Sequence, residues 1–212
     1  LGLLIKQVVS PQHNEDSDAA VTALKTAAIR MPDREAAASE LSAAVKGAPL
    51  AAQVAILEIL GKMGGSQALK TLASYGEGDN VDLKDTSSRL MGEWMTADAA
   101  PVLLKLATTG PADKFQVRAM RGYIRIARQF VMPEPERVAM CAAAMQACKQ
   151  DNERKMVLDV MQRYPSRGTL ELAIDATQAG NVRDEAKAAA QKIGEKLKDD
   201  AEAQAMLKKA GL

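Results

Sequence analysis

The chain repeats itself, and this constrains its fold more than any other feature. Leu57-Glu58-Ile59-Leu60-Gly61-Lys62-Met63 aligns without gaps on Leu158-Asp159-Val160-Met161-Gln162-Arg163-Tyr164, and at the same offset Leu69 falls on Leu170. Between the copies lies Leu90-Met91-Gly92-Glu93-Trp94-Met95, again an apolar pair, a small residue and a polar one, and Ile193-Gly194-Glu195-Lys196-Leu197 is a weaker copy. Turn-forming residues recur at Gly47, Gly78, Gly110, Asp151 and Gly180. Their spacing of about 30 to 40 residues is the size of a two-helix repeat. A unit that small cannot bury its apolar face alone, so it must stack on its neighbours.

Each unit reads as two helices. The second helices are expected at 49–63, 81–95, 114–131, 152–164 and 182–197, and the first helices at 35–46, 67–75, 99–108, 136–149 and 169–178. Pro49, Pro101 and Pro135 stand near helix starts, where a missing N–H costs little. No alternating strand pattern persists. The expected class is therefore all-α: a right-handed α-solenoid of about five antiparallel helix pairs, with repeats at roughly 33–63, 65–95, 97–131, 134–164 and 166–197. Terminal capping helices are expected at 19–30 and 199–212, within one repeat domain spanning 19–212. Residues 1–18 read as an apolar edge segment and a polar loop. With no initiator Met and no basic stretch before the apolar burst, they are expected to continue from a longer chain of which this is one module.

Composition narrows the function classes. With 28 basic and 27 acidic residues the net charge is +1, which argues against coating nucleic acid or membrane by bulk electrostatics. No apolar run reaches the ~20 residues of a membrane-spanning helix, so no membrane insertion is expected. His13, the one histidine, lies in a polar loop, which rules out an imidazole-rich metal site and leaves no Ser–His–Asp set. Cys141 and Cys148 sit seven apart on an apolar helical stripe, about 10.5 Å along the axis. That is too far for a disulfide, so both read as buried free thiols, and the compartment stays open. Aromatic residues are 3% of the chain while 47% is hydrophobic, which suits thin alanine-lined helix pairs better than a globe plugged with large rings.

Leu83-Lys84-Asp85 followed by Arg89-Leu90-Met91-Gly92, and Val117-Arg118-Ala119 following Pro111 and Asp113, resemble the second-helix signature of HEAT-type α-solenoid repeats of bacterial kind. Val54 to Gly61 keeps the apolar part with Gln53 in place of a basic residue, and Arg154-Lys155 keeps the basic residue without the glycine. The resemblance spans about residues 33 to 197. It implies a binding or scaffolding module rather than an enzyme.

The sharpest polar feature is Lys114, Arg118, Arg121, Arg125 and Arg128, whose steps of four, three, four and three set all five on one helix face. Val117, Met120, Ile124, Ala127 and Val131 form the adjacent stripe expected to be buried. Two readings of the cations stand open: an anion-binding strip, or a structural ladder neutralised by Asp85, Asp113, Asp151, Glu153 or Asp159. Trp94 is expected in the core; an exposed Trp beside the arginines would instead resemble the HEAT-like DNA alkylation glycosylases. Acid pairs such as Asp16/Asp18, Asp184/Glu185 and Asp199/Asp200 read as helix caps. The expected function is a non-catalytic scaffold without a cofactor, binding a protein partner on the concave second-helix surface. The alternative is a nucleic-acid-binding protein using the basic face.

Overall fold

The computed structural model describes residues 1–11, 17–109, 113–178 and 180–212, and among them the regular structure is all helical. The chain divides into two compact units, Leu1–Met95 and Thr96–Leu212. The first holds α1 (Gly2–Val9), α2 (Ser17–Arg30), α3 (Arg34–Val45), α4 (Leu50–Met63), α5 (Ser66–Gly76) and α6 (Val81–Gly92). The second holds α7 (Ala100–Thr108), α8 (Lys114–Gln129), α9 (Glu134–Ala147), α10 (Asp151–Arg163), α11 (Arg167–Ala176), α12 (Arg183–Lys196) and α13 (Ala201–Ala210), with short 3-10 turns at Ala97–Ala99 and Gly180–Val182.

Local chemistry sets where these helices begin. The side chains of Asp33, Asn80, Asp113, Ser166 and Asp200 accept the otherwise unpaired first amides of α3, α6, α8, α11 and α13. Each such cap contributes about 1 kcal/mol. Pro101 and Pro135 fall in the first turns of α7 and α9, where their lack of an N–H is harmless.

Within each unit the helices form two rows. In the first, α3 packs on α5, and α2 on α4 on α6, while sequential neighbours pack across the rows. In the second, α7, α9, α11 and α13 form one row and α8, α10 and α12 the other. This is a repeat-like helical packing, and polar links between helices two apart carry its period. The Glu35 carboxylate accepts the Ser66 and Gln67 amides at 2.8 and 2.9 Å, capping α5 from α3. Ser42 meets Thr71 at 2.7 Å, and Arg89 of α6 pairs with Glu58 of α4. In the second unit the Tyr164 hydroxyl donates to the Arg128 carbonyl at 2.8 Å, Lys196 donates to the Gln162 carbonyl at 2.6 Å, and Arg167 pairs with Asp200 at 2.6 Å. These links join residues 29 to 36 apart in sequence. Being largely exposed, the ion pairs set register more than they stabilise.

The core between the rows is aliphatic and small. Leu24, Leu41, Ile56, Leu57, Leu60 and Leu72 are fully buried in the first unit; Leu103, Ile126, Leu158, Leu170 and Ile193 are in the second, among Ala173, Ala186, Ala189 and Ala190. Three helical glycines, Gly61, Gly168 and Gly194, let a helix approach closely, Gly168 against Val138. A Cβ on Gly61 would lie 2.7 Å from a Leu90 methyl, and one on Gly194 would overlap a Leu207 methyl. The Leu-Gly pattern of the repeat thus marks where a leucine of a following helix is seated.

Two of the second helices end two or three residues earlier than their periodicity predicts. α6 stops at Gly92, and Trp94, just beyond it, is 3% exposed. α8 stops at Gln129 rather than 131, so Val131 does not belong to the buried stripe and is fully exposed. The cause is local. Met132 precedes Pro133, which disfavours helical backbone there, and Phe130 is already extended at φ −93° and ψ 146°. Arg137 then donates to the carbonyls of Ala127 and Phe130, replacing hydrogen bonds that another helical turn would have supplied.

Gly61→Ala and Gly194→Ala test the leucine seats. Alanine favours helix by about 1 kcal/mol, but overpacking a filled site costs about 1–3 kcal/mol. Both variants should lose stability in urea titration, and the Gly61→Ala loss should shrink in a Leu90→Ala background. A gain in stability for either glycine variant would show that its seat is not tight.

Candidate functional site

Helix α8 divides cleanly by face. Gln116, Ala119, Met120, Tyr123, Ile124, Ile126 and Ala127 are buried, and Val117 is half-buried. On the opposite side Lys114, Arg121 and Arg128 are exposed, and Arg118 and Arg125 are half-buried. The five sequence-selected cations therefore share one outward face, about 21 Å long at 1.5 Å per residue. Their aliphatic stems flank the core while their charges face water.

The helix carries five basic residues and no acid. Helices α7, α9 and α10 pack on it and carry five basic and five acidic residues between them. Asp113 spends its carboxylate on the α8 amides of Phe115 and Gln116, at 2.8 and 3.1 Å. Asp151 pairs with Arg154 at 3.0 Å, and Asp159 is exposed on α10. Arg125 donates to Gln129 at 3.0 Å and sits 5.7 Å from the Phe130 ring; Lys114 sits 4.8 Å from the Phe115 ring.

Among the described residues Glu153, at the start of α10, is the one buried acid. It is 2% exposed, and its Oε1 has no hydrogen-bond partner among the described residues. Burial raises its pKa above the ordinary carboxylate value, opposed by the Gln150 and Lys149 amides and by the charges of Arg121 on α8 and Arg154 on α10. The same joint holds a polar chain: the Gln116 side-chain amide donates to the Thr109 carbonyl, Lys149 donates to Gln116 at 3.1 Å, and Arg154 donates to the Cys148 carbonyl at 2.6 Å. Cys141 and Cys148 are buried free thiols. Burial pushes them up to about 11 and about 12, far from a reactive thiolate.

At the C-terminal end of α8 the structure adds a feature absent from the sequence reading. A cavity of about 460 Å³ opens between the α8–α9 connection and the α10–α11 connection, lined by Phe130, Val131, Met132, Val138, Arg163 and Tyr164 among others. Arg137 also lines it, buried, with its guanidinium 3.6 Å from the Tyr164 ring centroid. A signal for this residue was present. Arg137 falls in the first turn of α9, where the helix dipole disfavours a cation, so its charge serves something other than its own helix.

No protein-family model and no curated protein matches this chain. What the site can do follows from its own chemistry. Among the described residues, no group of three or more His, Cys, Asp or Glu side chains gathers as metal ligands, and no helix is long and apolar enough to cross a membrane. His13 and Asp16 lie outside the described residues. Asp18, Asp184, Glu185 and Asp200 sit at helix starts, where carboxylates favour the dipole. The strip and its adjoining cavity remain: a surface suited to holding an anion and an apolar group side by side.

Glu153 makes the joint pH-sensitive in a defined direction. Because its folded pKa is raised, the native state holds the proton more tightly than the unfolded chain, and stability declines as pH rises above the ordinary value of 4.5. Glu153→Gln should therefore match the parent below that pH and exceed it in stability near neutrality, measured by urea unfolding across the range. A difference that does not vary with pH, or one of opposite sign, would contradict the assignment.

Proposed function

We propose that the chain is a non-catalytic, HEAT-like helical-repeat scaffold that binds an acidic protein partner on the outward face of α8. One observation carries this reading: five basic residues share one face of a helix without an acid, with Lys114, Arg121 and Arg128 exposed on it. Aligned like charges on one helix face repel by a few tenths of a kcal/mol per pair, and a partner's carboxylates would turn that repulsion into attraction. The two-row packing within each unit supports the HEAT-like part of the reading, since such rows expose the second helices side by side as a continuous surface.

A protein partner is favoured over nucleic acid by the state of the aromatic residues. Single-stranded nucleic acid is held by stacking bases on open rings. Here Trp94 and Tyr123 are buried, the Phe130 ring is engaged by Arg125, and the Tyr164 ring by Arg137 and, at 5.9 Å, Arg163. A damaged-base pocket of the glycosylase kind would require an exposed aromatic beside the arginines, and Trp94 is not one.

The test is fluorescence anisotropy with a labelled hexaglutamate peptide ending in alanine, compared with a labelled DNA duplex. The parent should bind the peptide in a salt-sensitive manner, and Arg125→Glu/Arg128→Glu should weaken binding at least tenfold with an unchanged unfolding midpoint. Tighter binding of the duplex would assign the strip to nucleic acid. Failure to bind either probe at low salt would make it a purely structural surface.

A further inference from the structure

We draw no further inference here: the strongest candidate, the cavity between the α8–α9 and α10–α11 connections, has apolar walls at Val131 and Met132 and a buried Arg137 already committed to the Ala127 and Phe130 carbonyls, and nothing in the structure shows what fills it.

Discussion

Close approach between helices two apart in sequence is the interaction on which the rest depends. A chain with few aromatic residues cannot build a core around large rings, so stability must come from many small contacts at high density. Alanine faces and the glycine seats at Gly61 for Leu90 and at Gly168 for Val138 allow this, because each missing side-chain atom lets the facing backbone move inward. The polar links at 29 to 36 residues then hold the register of surfaces that alanine alone would leave free to slide.

Row packing also explains how a nearly neutral protein displays a concentrated charge. A helix at the side of a row must bury one face and has only the other to show. In α8 the buried arc takes Met120, Tyr123, Ile124 and Ala127, and every third or fourth position left over is basic. Asp113 is held by the helix start it caps and Asp151 by Arg154, while Glu153 is buried at the start of α10. The price of that burial is a raised pKa rather than a firm ion pair.

Much of this was legible in the residues. The helix periods and the burial of both cysteines follow from spacing and side-chain type, as does the shared face of the five cations; the glycine seats emerged only with the packing. The end of α8 was misread because Val131 continues the apolar step, and periodicity has no knowledge of Pro133 two residues later or of Arg137 ready to satisfy the freed carbonyls. The cavity was invisible for a related reason. Its walls come from connections more than 30 residues apart, Phe130 to Met132 and Arg163 to Ser166, brought together by the packing of α8 on α10. Only the unfavourable position of Arg137 in a first helical turn hinted at a special role.

The central claim is that glycine seats let helices two apart in sequence pack in contact. Nuclear Overhauser measurements on the intact chain test it most directly. The account predicts cross-peaks from the Leu90 methyls to the Gly61 α-protons, and from the Val138 methyls to those of Gly168. Glycine α-protons that show contacts only within their own helices would contradict it.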